Sequence, residues 1–278
     1  MGEGAKYIIN KEGGLANIKN KSKPNFNNVA DTKEGMFKDI DDYGESYYYR
    51  GIADNWVDFG NFYWRIVRIN GDGTIKLIYS GTKSSHSGSD TAIAMSPYNT
   101  NNEAEKYADY KIRNIKNTVE NWYKNNILGK PFESKIADSG FCSDMSKIDE
   151  KEFGSFNRVK NSKPSFMCPN RTADLLSREN GKLTYPVGLI TMDEVAFAGG
   201  VLYKPNNNYY LNTGKFYSTM SPAEWGGASV RTGAVVTDGS LYLWRVASDV
   251  GVRPVINLKR DVVIESGNGT EISPYIVS

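Results

Sequence analysis

Two stretches of the chain alternate β-branched and aromatic residues with polar ones, and they lie at opposite ends of it. In the first, Trp56-Val57-Asp58-Phe59 precedes Phe62-Tyr63-Trp64-Arg65-Ile66-Val67-Arg68-Ile69, which meets Asn70-Gly71-Asp72-Gly73 and continues as Thr74-Ile75-Lys76-Leu77-Ile78-Tyr79. Such runs around an Asn-Gly/Asp-Gly turn predict antiparallel hairpins. Ile75, Leu77 and Tyr79 fall on one face, because side chains alternate along a strand. Residues 56–79 are therefore expected to form a three-stranded meander. In the second stretch, strands are expected at 216–220, 229–236, 241–247, 252–258 and 275–277, with turns at Asp238-Gly239 and Gly267-Asn268-Gly269-Thr270.

Between these ends the period changes from two to three and four. Ile112, Ile115, Val119, Trp122, Tyr123 and Ile127 form one apolar face of an amphipathic helix that stops before Gly129 and Pro131. A shorter helix is expected around 132–137. Thr191-Met192-Asp193-Glu194 has capping-box spacing, and Gly199-Gly200 supplies a stop, so a helix is expected over about 192–198. Residues 82–102, 138–182 and 202–214 lack periodicity and read as loops. Residues 1–46 read as a leader and linker. Tyr7-Ile8-Ile9 and Leu15/Ile18 suit a short helix broken at Gly13-Gly14, and a polar linker follows over 19–28. The expected organisation is thus a leader over 1–46 and one α+β domain over 47–278. Its sheet-forming segments sit at both ends, where they are able to pair.

Composition narrows the possible functions. The 278 residues suffice for one sizeable core. Hydrophobic residues at 39% and aromatic residues at 12%, with 18 Tyr, mark a globular chain rather than a disordered one. A formal charge of +2, from 34 basic and 32 acidic residues, gives no basic face, so nucleic acid is not an expected partner. No apolar run approaches the length of a membrane span. Met1-Gly2-Glu3-Gly4 lacks the basic-then-apolar order of a signal peptide.

Candidate chemistry is sparse. A single histidine, His86, excludes a multi-His zinc site, and its Ser/Gly-rich surroundings suit a solvated imidazole. Gly-x-Ser-x-Gly and a Walker loop are absent, and Ser80-Gly81-Thr82-Lys83 lacks the companion motifs of a β-lactamase-type site. The acidic run Asp39-Ile40-Asp41-Asp42-Tyr43-Gly44 lacks the spacing of a calcium loop, so no metal or other cofactor is expected. Paired carboxylates for glycoside hydrolysis would have to come from Asp193, Glu194 and Glu224, and the capping box already accounts for Glu194.

Aromatic residues are the remaining signal. Tyr209 and Tyr210 in a polar loop, and Trp225 in the turn Glu224-Trp225-Gly226-Gly227, are expected to be exposed and to bind a ligand. Tyr217 and Trp244, on strands, are expected in the core. Cys142 and Cys168 lie 26 residues apart. In an exported chain a bridge between them is expected, with roughly 3–4 kcal/mol from loop closure. In a reducing compartment they are two free thiols.

Four segments in order carry a resemblance: 62–73; Gly188-Leu189-Ile190-Thr191-Met192-Asp193-Glu194-Val195 with Gly199-Gly200; Thr219-Met220-Ser221-Pro222; and Gly251-Val252-Arg253-Pro254-Val255-Ile256-Asn257-Leu258. Together they resemble an uncharacterised family of surface-exposed proteins of low-GC Gram-positive bacteria, over the chain from Asp41 to its end. That family is distantly similar to C-type-lectin-like domains of the formylglycine-generating-enzyme type. The resemblance implies a C-type-lectin-like domain whose two ends share a sheet, with two main helices and long loops. It also implies an extracellular or cell-surface location and the loss of an N-terminal apolar export or anchor segment. No closely paired cysteines near the C-terminus are available to bind copper, so the formylglycine-forming activity is not expected. The reading is a non-catalytic, adhesin-like extracellular binding module that recognises a glycan or a host or envelope protein. The alternatives are an enzyme acting on envelope glycans and a structural subunit of a surface appendage.

Overall fold

The computed structural model describes residues 1–84, 88–100, 108–227 and 229–278. His86 lies outside them. The chain begins with α1 (Glu3–Lys11) and α2 (Leu15–Asn20), separated at Gly13-Gly14. Five strands follow: β1 (Lys33–Asp41), β2 (Gly44–Gly51), β3 (Trp56–Phe59), β4 (Phe62–Ile69) and β5 (Ile75–Tyr79). The last three are the expected meander, paired antiparallel with Trp56 opposite Arg65 and Ile66 opposite Leu77.

Residues 1–46, expected as leader and linker, belong to the packed body, and a boundary at 46 falls inside the β1–β2 hairpin. Ile8, Ile9 and Ile18 of the two helices are buried in the main core. The Gly4 N–H donates to the Val262 carbonyl at 3.1 Å, which ties the start of the chain to its end.

The middle of the chain supplies β6 (Ala94–Pro97), α3 (Asn114–Asn126), β7 (Phe141–Cys142), α4 (Gly154–Lys160), α5 (Arg171–Asp174) and β8 (Leu175–Leu176). Helix α3 buries Ile115, Val119 and Tyr123, as its period demands. Strand β6 lies in the expected 82–102 loop. Its sequence Ala-Met-Ser-Pro shows no apolar alternation, and backbone pairing to a later strand forms it. The region expected to be irregular holds two short helices and the two-stranded β7–β8 ribbon. It also holds the Cys142–Cys168 disulfide, with Cα atoms 5.7 Å apart.

The C-terminal part begins with α6 (Met192–Ala198). Thr191 accepts from the Glu194 N–H, Glu194 accepts from the Thr191 N–H, and Gly199 closes the helix at φ 118°. Then come β9 (Tyr217–Trp225), β10 (Val230–Val235), β11 (Leu241–Arg245), β12 (Asp249–Val252), β13 (Val255–Leu258), β14 (Ile264–Ser266) and β15 (Tyr275–Val277). A larger sheet runs β1-β2-β4-β3-β15-β14, with β5 beside β4 and β13 beside β5. A second sheet runs β11-β10-β9-β12-β6. Strands from both ends of the chain therefore share one sheet: β13 pairs with β5 and β15 with β3. The expected single strand over 252–258 is two strands in different sheets. Arg253-Pro254 marks the crossing, as suits a proline that has no N–H to give a ladder. The fold is α+β and mostly sheet. One continuous core joins Trp64 and Leu77 of the larger sheet to Val195, Tyr217 and Val250 around the second.

Candidate functional site

Two concave sites collect the chemistry of the molecule, and they differ in access. The first lies where the β2–β3 turn, the 207–212 segment and the β14–β15 turn converge. Trp56 and Arg65 sit directly opposite each other on β3 and β4, so their side chains project from one face. The Arg65 guanidinium stacks on the indole at 4.3 Å and lies 5.4 Å from the Tyr210 ring. Asn55 fixes this pair: its amide donates to the Ile66 carbonyl at 2.8 Å, and its Oδ1 accepts from Arg65 Nε at 2.6 Å. Arg65 Nη2 donates to the Ala53 carbonyl at 2.9 Å. Gly269, at φ +79°, anchors β3 behind the groove: its carbonyl accepts from the Trp56 N–H at 2.8 Å, and a Cβ there would stand 2.2 Å from the Asp54 carbonyl oxygen.

The opposite wall is the segment before β9. Buried Asn206 donates to the Ala30 and Gly199 carbonyls at 2.9 and 3.1 Å, and the Tyr210 N–H donates to the Gly51 carbonyl at 3.1 Å. This pinning leaves Asn207 and Asn208 exposed on the rim, with Asn212 half-buried behind them. The result is an open groove of about 320 Å³, in the size range of ligand sites. Asp54 and the exposed Glu271 complete its edge, and Asp54 is ion-paired with Lys33.

The charge balance under the groove is unusual. Arg65 is 8% exposed and Arg253 is 1% exposed, and among the described residues neither is ion-paired. Arg253 donates to the Tyr79 and Leu211 carbonyls at 3.0 and 3.2 Å and stacks on Tyr217 at 4.6 Å, while its Nη2 has no hydrogen-bond partner. Burial pulls the Arg65 pKa down to about 9; the Arg253 cation pushes it the same way, and Tyr210, Asp54 and Glu271 oppose this.

The three expected ligand-binding residues are placed differently from expectation. Tyr209 and Tyr210 are buried, not exposed. The Tyr209 hydroxyl donates to the Gly239 carbonyl at 2.9 Å, and that backbone partner lets the whole ring enter the core. Both nevertheless form the floor of the groove. Trp225 is half-buried at the end of β9, packed against the core, and does not line the groove. Tyr217 is buried as expected, and Trp244 is half-buried. Trp56 and Arg65 were not anticipated as site residues. Their signal was a charged side chain inside a strand that is otherwise aromatic and aliphatic.

The second site is an ionic cavity between β1, β4, β5, α4 and α6, walled by the disulfide segment. Lys76 Nζ bonds Glu194 Oε1 at 2.6 Å, and Arg68 reaches Glu194 at 3.2 Å and Asp41 at 2.6 Å. Arg158 holds Asp193 and Asp144, each at 2.7 Å, and the Ser155 hydroxyl donates to Asp193 at 2.5 Å. Burial raises the Glu194 pKa, but Lys76 and Arg68, with hydrogen bonds from Lys76 and the Thr191 N–H, outweigh it and bring the value to about 2. Burial dominates at Lys76 and lowers its pKa. The cavity measures about 40 Å³, room for roughly three waters. The three carboxylates weighed for glycoside hydrolysis are all committed: Glu194 and Asp193 here, and Glu224 to Arg231 at 2.7 Å. The acidic 39–42 stretch is likewise engaged. Asp39 pairs with Lys23 at 3.0 Å, Asp41 with Arg68, and Asp42 accepts from the Cys168 N–H at 3.1 Å. Among the described residues, no group of three or more His, Cys, Asp or Glu is placed to hold a metal ion, and no helix is long and apolar enough to cross a membrane.

No family model matches this chain, and neither a curated protein nor a solved structure matches it.

Proposed function

We propose that this chain is a non-catalytic extracellular binding module with a C-type-lectin-like domain, of the Gram-positive surface-protein type that its motifs resemble, and that it recognises a glycan. The observation that carries the reading is the groove over Trp56, Arg65 and Tyr210. It is open, of ligand size, and lined by an aromatic-stacked guanidinium and side-chain amides. Amides and guanidinium donors match sugar hydroxyls and ring oxygens, and pinned loops reduce the ordering cost of binding. The three carboxylates considered for hydrolysis, Asp193, Glu194 and Glu224, are each held in an ion pair and none lines the groove. The disulfide supports an oxidising, extracellular setting.

The test is a glycan array probed with the parent chain and with an Asn207→Ala/Asn208→Ala variant. Both side chains are exposed, so the fold is expected to persist. Retention of a defined glycan class by the parent, weakened in the variant, is the expected result. An array with no retained glycan, or release of a shortened product from a bound oligosaccharide, refutes the proposal.

A further inference from the structure

The glycan reading leaves open which sugar chemistry the groove selects, and its uncompensated guanidinium bears on that. We infer that the groove binds an acidic sugar, with the ligand's carboxylate seated against Arg65. The inference rests on the binding-module reading above and narrows it.

The argument begins with donors. A guanidinium carries five N–H groups in a planar fork. Arg65 commits its Nε to Asn55 and one Nη2 hydrogen to Ala53, and among the described residues the remaining donors have no partner. The residue is nine-tenths buried and lines the groove. Stacking on Trp56 fixes its plane, so the uncommitted edge is held in place before any ligand arrives. A planar, preoriented guanidinium edge fits a carboxylate through two parallel bonds.

Charge supports the same assignment. A buried cation without an ion-pair partner is costly, and here two act on each other, since the Arg253 cation, stacked on Tyr217, adds its charge to that of Arg65. A carboxylate delivered by the ligand supplies the missing partner. Of the two acidic groups on the rim, Asp54 is neutralised by Lys33, and Glu271 stands exposed. Glu271 therefore opposes an anion, whereas it has little effect on a neutral sugar. The amides of Asn207 and Asn208 remain for hydroxyl groups.

The experiment is calorimetric titration of the full chain with glucuronate, with its uncharged counterpart glucuronamide, and with glucose 6-phosphate, on the parent and on Glu271→Gln and Arg65→Lys variants. Glucuronate is expected to bind at least tenfold more tightly than glucuronamide and glucose 6-phosphate. Glu271→Gln is expected to tighten glucuronate several-fold and leave glucuronamide unchanged. Arg65→Lys is expected to remove most of the preference for the acid. Because Arg65 is buried and its replacement risks the fold, the exposed Glu271 variant carries the test independently. Equal binding of acid and amide, both weakened by the Asn207/Asn208 changes, overturns this inference while leaving the glycan reading intact. Tighter binding of the phosphate overturns the carboxylate assignment. No binding of these probes, together with an empty glycan array, removes both proposals.

Discussion

Replacing Glu194 by Gln should destabilise this protein more than its modest change of shape suggests. The side chain is 3% exposed and takes Lys76 at 2.6 Å and Arg68 at 3.2 Å, while its second oxygen accepts the Thr191 N–H at 3.0 Å. Glutamine can still complete the capping box, so the substitution removes charge and leaves the cap. The pKa of Glu194 lies near 2 in the folded chain against an ordinary 4.5. At roughly 1.4 kcal/mol for each tenfold in proton affinity, that difference is worth about 3 kcal/mol. Breaking a buried ion pair from one side costs about 3–5 kcal/mol by experience with other proteins, so the two routes agree. For a chain of this size the melting temperature at pH 7 should fall by roughly 6–12 °C.

The pH dependence follows from the direction of the shift. The folded pKa is depressed, so between about 4.5 and 2 the unfolded chain binds the extra proton. The stabilisation is complete above the unfolded value and is lost as the pH falls through that window. Denaturant titrations from pH 7 to pH 2 should therefore show the parent and Glu194→Gln converging as acid is added. Lys76 opposes this in part, because burial lowers its pKa and so marks a cost of holding that cation. Lys76→Met in the Glu194→Gln background should recover part of the loss, since it removes the cation left without its carboxylate. A Glu194→Gln protein within about 1 kcal/mol of the parent at every pH would refute the reasoning and show that water screens the cluster.

Three further outcomes are expected. Reduction of Cys142–Cys168, or its replacement by two serines, should lower stability by roughly 3 kcal/mol through the loop it closes, and thiol titration of the oxidised, unfolded chain should find no free thiol. Deleting residues 252–278 should abolish cooperative unfolding, read by circular dichroism, because it removes the strands paired to β5 and β3. Trp225→Ala should cost about 2 kcal/mol, less than a fully buried tryptophan, and leave binding at the groove unchanged in calorimetry, since Trp225 packs on the core away from it.

The elements that were readable in the sequence were those whose signal is local. The meander over 56–79 is written in its alternation and its Asn-Gly/Asp-Gly turn, and α6 in a capping box whose two hydrogen bonds are both present. Strand β6 was not readable, because Ala94-Met95-Ser96-Pro97 forms a strand only through backbone pairing to β12, more than a hundred residues away. Strand β1 was hidden for a related reason. Lys33–Asp41 alternates exposed charge with partly buried positions at the edge of the sheet, and charged edge strands resemble linkers in composition.

The site was less readable than the fold, because polarity in sequence does not fix exposure. Tyr209 and Tyr210 sit among asparagines, which suggests a solvated loop. Yet buried Asn206 anchors that loop through the Ala30 and Gly199 carbonyls, and the anchoring turns both rings inward. The residues that bear the groove's charge instead come from a strand that reads as pure core. In β4, Arg65 and Arg68 lie three apart, yet a bulge between Ile66 and Arg68 returns them to one face, opposite Ile78 and Lys76, which are two apart on β5. At one end of that face Arg68 meets Glu194 and Asp41 and becomes part of the ionic cavity; at the other Arg65 meets Trp56 and Tyr210 and is not ion-paired among the described residues. Two arginines on one face of the same strand thus acquire different roles from what the distant parts of the chain bring to each end of it. That pairing is a property of the sheet formed by both chain ends, which no local pattern encodes.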